Sequence, residues 1–246
     1  MRTRVVEALG LHHRPVAGLF GMLLTVALGL NLLFLTHKFL GVPDHDGFGL
    51  EQERGIPAVV GFVFAAWAAG LAAYLAVVHR QAVLAGWSAL FALLLADDFF
   101  MLHERMAKAI SASLGIPGPY GPPIGEIVWL GSVGATLLAV IAIGYRFAAP
   151  EWRTASRVLF VLLGLLVLCG VGVDVVHGFT RAFTGTRGTW HVLMGSLEDG
   201  GELLMLGVVV TFLYALAFCG HRPAPGRLRR RGRPPRHAPG PRRLTP

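Results

Sequence analysis

Charge is what this chain has least of. Asp, Glu, Lys and Arg make up 15% of its 246 residues, against roughly 25% in an ordinary soluble domain. With 54% hydrophobic residues and a mean hydropathy of +0.60, that scarcity excludes a conventional water-soluble fold. Cysteine is nearly absent as well. Cys169 and Cys219 form no C-x-x-C pair, which excludes a disulfide framework, a zinc ribbon and a thiol redox motif, and both read as fillers of an apolar interior. There is no Gly-Lys-Ser/Thr phosphate loop, no Gly-x-Ser-x-Gly elbow, no lysine embedded in a helix where it would carry a retinal Schiff base, and no internal repeat.

What is present in quantity is long apolar sequence. Runs at about 17–39, 57–78, 83–103, 125–147, 157–177 and 200–219 each approach the ~20 residues a helix needs to cross a bilayer. The fold class is therefore all-α, a polytopic transmembrane bundle of six helices within residues 1–220. The first run follows Arg2, Arg4 and Arg14, is too long for a signal-peptide core, and reads as a retained signal anchor. The third is the least regular, because Asp97 and Asp98 fall inside it and its end can continue as an interfacial helix through Arg105 and Lys108.

Cations in short loops mark the cytoplasmic side, and six spans put both termini on one side. The N-terminal arm, Arg80, the Arg146–Arg157 loop and the C-terminal tail hold 16 of the 22 Lys and Arg residues, which predicts cytoplasmic termini. The stretches 44–56, 104–124 and 178–199 then lie outside. Of the 14 acidic residues, only Glu7 and Glu151 fall on the cytoplasmic side. The tail, 221–246, has nine Arg among many Pro and Gly, so it is read as disordered in water and as a contact for anionic lipid headgroups. No RNA- or DNA-binding motif accompanies it, so no nucleic-acid partner is expected.

Three polar clusters interrupt the apolar sequence: Asp97-Asp98 with His103-Glu104, Asp174 with His177, and Glu198-Asp199 with Glu202. Ionisable groups are costly in hydrocarbon, so their accumulation at one end of a bundle suggests a shared site. On a continuous third helix Asp97 and Glu104 share a stripe, with Asp98 and His103 to either side. Asp174 and His177 have the spacing of metal ligands or of a proton relay, although a hydrogen bond tying two helices explains them equally well. Glu104 can simply pair with Lys108, and Glu198 and Asp199, at the start of the last helix, suit an ordinary anionic cap. The Gly200-Gly201 pair before Glu202 permits close approach of a ligand or a backbone.

Carboxylates and imidazoles without thiolates suit zinc, iron or manganese. Candidate ligands of such a divalent ion are Asp97, Asp98, His103, His177, Glu198 and Glu202, with Glu104 or Asp174 as general base on a water attacking a lipid-like substrate. Haem held by His103 and His177 fits this many acids less well. The strings Asp97-Asp98-Phe-Phe-Met-Leu-His103-Glu104 and Leu197-Glu198-Asp199-Gly-Gly-Glu202-Leu resemble motifs of a family of bacterial multipass membrane proteins with no assigned activity, which implies a bacterial plasma-membrane location. A looser likeness to the alkaline ceramidase superfamily implies a metal-dependent membrane hydrolase, but that family's closely spaced pair of histidines is replaced here by carboxylates. An ion or proton transporter, and a non-catalytic sensor or assembly protein, are the alternatives.

Overall fold

An apolar run inside a bilayer has no water for its backbone N–H and C=O groups, so it must pair them within itself and become a helix. The structure is a computed structural model that describes residues 6–42, 55–116, 121–173, 176, 189–221 and 223. Its regular elements are α1 (Arg14–Leu40), α2 (Ile56–His79), α3 (Ala82–Phe100), α4 (Leu102–Ser113), α5 (Gly121–Phe147), α6 (Pro150–Val167) and α7 (Thr189–Phe218), with α6 continuing into a π-helical turn, Leu168–Gly172. No strand occurs among the described residues, and every helix except α4 is long and apolar enough to cross a membrane. Pro15, Pro57 and Pro150 stand in the first turns of α1, α2 and α6, where a missing N–H costs no hydrogen bond.

Successive spans alternate in direction, which defines two ends. At one lie the start of α1, the α2–α3 and α5–α6 turns, and the finish of α7. The Ala149 N–H donates to Gln81 Oε1 at 3.3 Å, tying those two turns together. The core is built at the crossings of α2, α3, α6 and α7, where Trp87, Trp152, Phe91 and Phe212 are fully buried. Trp87 Nε1 donates to Ser156 Oγ at 3.2 Å, so the buried indole leaves no orphaned donor. The helix α7 is the central one, with 56% of its span buried against 11% for α5. The bare flanks of α5, including Ile127, Ile143 and Phe147, would promote aggregation in water and are at home against lipid tails.

Three boundaries differ from the sequence reading. The third run ends as a helix at Phe100 and α4 starts anew after Met101, because Met101 takes a left-handed backbone. The helix α6 begins at Pro150, where proline presets a helical start ahead of the arginines. Most consequentially, α7 begins at Thr189, about three turns before the expected start at 200. Glu198 and Asp199 therefore lie inside a continuous helix and cap nothing. Asp174, His177 and the tail from 224 onward lie outside the described residues.

Candidate functional site

The site at the end away from the termini is created by one residue's backbone. Met101 has φ 53° and ψ 45°, one of two non-glycine residues with positive φ among those described, and its N–H reaches back to the carbonyls of Asp97 and Asp98. A left-handed conformation costs a non-glycine residue about 1–2 kcal/mol, so it persists where the surroundings impose it. Had the helix run straight, Asp97 and His103 would point about 120° apart. The break at Met101 overturns the shared stripe of Asp97 and Glu104 and turns His103 back onto Asp97 instead.

The helix α4 is then held by α5. A Cβ at Gly125 would overlap the Ala107 backbone, and one at Gly121 would stand 3.2 Å from Ser111 Cβ, so the two helices touch nearly backbone to backbone and run antiparallel. The pairs are 111 with 121 and 107 with 125, and one turn further the register brings 103 beside 129. Both of those side chains bond Asp97: His103 Nδ1 lies 2.9 Å from Oδ2, and Trp129 Nε1 donates to Oδ1 at 3.0 Å. Asp97 is only 5% exposed, and each of its carboxylate oxygens has a donor.

The Asp97 hydrogen bond raises the His103 pKa to about 9. Burial opposes the rise, and the charges of Asp97, Glu126 and Asp98 add to it. In the metal-free protein His103 is thus an imidazolium at neutral pH, bonded through Nδ1 to a carboxylate. With Nδ1 committed to Asp97, Nε2 is the nitrogen able to exchange a proton with its surroundings. Asp97, Asp98 and His103 each offer a ligand atom, and these atoms lie within 4.8 Å of one another, so a divalent ion seated among them would replace the proton between Nδ1 and Asp97.

The remaining candidates are distributed differently. Glu104 accepts from Lys108 Nζ at 3.3 Å, the local pair anticipated as the plainer reading. Glu198 and Glu202 belong to neither of the described groups of three or more metal-binding side chains. Their helix packs on α1, α2 and α6, whereas α3 packs on α2, α4, α5 and α6, so the two acidic sets lie on helices whose shared neighbours are α2 and α6. Glu202 lies roughly 20 Å along α7, near mid-span rather than one turn inside it. There a Cβ on Gly170 would overlap its carboxylate, Gly201 lies against Cys169, and Gly200 lies against Asn31. The glycine pair thus admits neighbouring helices. Asn31 Nδ2 donates to the Ser196 carbonyl at 3.2 Å, and Ser196 Oγ donates to Asn31 Oδ1. Trp129 and Asn31 escaped the sequence reading. An indole N–H or an amide inside an apolar run always needs a partner, and that requirement was the available signal.

Fold and site together define a multipass α-helical membrane protein with a carboxylate–imidazole group at the end away from its termini. The chain belongs to the family described as a domain of unknown function, DUF8692, whose model matches residues 16–218. No curated protein and no solved structure matches it.

Proposed function

We propose that this membrane protein binds a divalent cation of the zinc, iron or manganese class at Asp97, Asp98 and His103, on the outer side of the membrane. The observation that carries the reading is the buried Asp97 held between the Trp129 indole and the His103 imidazole. Two carboxylates and an imidazole converging there are a donor set suited to such an ion, which would take the place of the proton held between His103 and Asp97. The excess of Arg at the termini end supports that end being cytoplasmic, with the tail against anionic lipid. Glu126, close enough to act on the His103 charge, is a better candidate than Glu104 for general base in a metal-dependent hydrolase acting on lipid.

The test is elemental analysis of tag-free protein stripped with chelator and reloaded with Mn²⁺. One ion per chain that is lost in Asp97→Asn, Asp98→Asn and His103→Ala supports the reading. Loading unchanged in all three variants sinks it.

A second reading, proton or ion transport, is favoured by Glu202. It places a carboxylate near mid-span against a π-helical turn, a local irregularity frequent at functional sites. Proton flux into proteoliposomes that disappears in Glu202→Gln would promote this reading over the first.

A further inference from the structure

A second group of metal-ligating side chains lies at the termini end, where the sequence reading singled out nothing. His12 and His13 precede α1, and His221 follows α7. The three imidazoles each offer a nitrogen, and these nitrogens lie within 4.8 Å of one another. Ring centroids are 4.0 Å apart for His12 and His13, 5.7 Å for His12 and His221, and 6.3 Å for His13 and His221.

His221 is the anchor. It is 6% exposed, its ring stands edge-on to Phe212, and its own N–H bonds the Ala215 carbonyl at 3.2 Å. Its Nε2 lies 3.0 Å from the Ala8 carbonyl oxygen. A carbonyl only accepts, so the proton must sit on Nε2, and in the neutral ring Nδ1 then carries the lone pair. This is how metal-binding histidines are oriented, by one ring N–H on a backbone carbonyl. The arm is turned tightly onto this ring at Gly10. There φ is +72°, and a Cβ would stand 3.0 Å from Ala215 and 3.1 Å from His221, so only glycine serves.

We infer that His12, His13 and His221 form a zinc-class site that clamps the N-terminal arm to the end of the last helix. Three imidazoles with no carboxylate select Zn²⁺, Cu²⁺ or Ni²⁺ over Mg²⁺, Ca²⁺ or Mn²⁺, a different preference from that of the Asp97 group. A tetrahedral zinc with Zn–N bonds of about 2.0–2.1 Å needs nitrogens roughly 3.4 Å apart. The remaining closure falls to His12, which is exposed, and His13, which is half-buried, while His221 stays fixed. Water takes the fourth position. All three histidines lie outside residues 16–218, so membership of the family neither supplies nor predicts this site. The arginine-rich stretch begins at the next residue, Arg222, so the clamp would also fix where the tail leaves the bundle.

The experiment uses the full chain without a polyhistidine tag, in an Asp97→Asn, His103→Ala background, so that the result does not depend on the proposed function. After chelation and reloading with Zn²⁺, one ion per chain is expected by elemental analysis. It should be lost in His12→Ala, whose exposed side chain can be removed without disturbing the fold, and in His221→Ala. Loading with Cu²⁺ should give an electron paramagnetic resonance spectrum with nitrogen coupling from imidazole, which His12→Ala weakens. Zinc-free protein after reloading, or full zinc retention in the His12→Ala, His13→Ala double variant, overturns the proposal.

Discussion

Asp97 is satisfied at both oxygens by donors from two different helices, so either donor can be removed and the consequence read at the other. Trp129→Phe leaves Oδ1 buried without its donor and should cost about 1–3 kcal/mol, measured as a lower unfolding midpoint in detergent. The His103 titration has a definite sign. Its pKa is raised from 6.5 to about 9 in the folded protein, so its stabilising contribution is complete below pH 6.5 and is lost as pH rises through about 9. The loss should be about 1–2 kcal/mol once the solvent reaching the ring is allowed for. Metal-free wild type should therefore melt lower at pH 9.5 than at pH 6, and His103→Ala should flatten that dependence. An equal slope in both proteins would count against the pairing.

At the scale of elements, the decisive feature is the break between α3 and α4. A β-branched residue tolerates a left-handed backbone worse than methionine does, so Met101→Ile should cost about 1–2 kcal/mol. Nuclear magnetic resonance should also show the His103 pKa moving back toward 6.5 as α4 swings away from Asp97. Gly125→Leu attacks the other support. Its side chain would collide with the Ala107 backbone, force α4 off α5, and cost upwards of about 3 kcal/mol, read as a fall in melting temperature together with lost metal at Asp97. The existence of both helices was legible from apolar runs and from the polar stretch after Glu104. Their junction was not, because no proline or glycine marks it: the αL residue is a methionine, imposed by packing. The start of α7 was obscured similarly. Gly200-Gly201 and the acids before them look like a helix boundary, yet the glycines serve close packing against Asn31 and Cys169 inside an unbroken helix.

For the whole molecule, the arginine bias predicts that membrane-impermeant maleimide, applied to intact cells, labels a cysteine at Ser113 and leaves one at Gln81 unlabelled. The reverse pattern would invert the orientation and put the Asp97 group inside. Apolar length alone determined that the chain is all-helical with six spans, because hydrocarbon offers the backbone no partner but itself. Sequence order also determined that the Asp97–Glu104 cluster would lie at the end away from the termini. Which polar groups meet was decided only by the tertiary structure, because helices hydrophobic on most sides carry no mark of their rotation. Thus the acids of α3 and of α7 sit on helices that share α2 and α6 as neighbours, an antiparallel α4–α5 pair delivers His103 and Trp129 to Asp97, and the closing of α7 on the N-terminal arm joins three histidines from opposite ends of the chain.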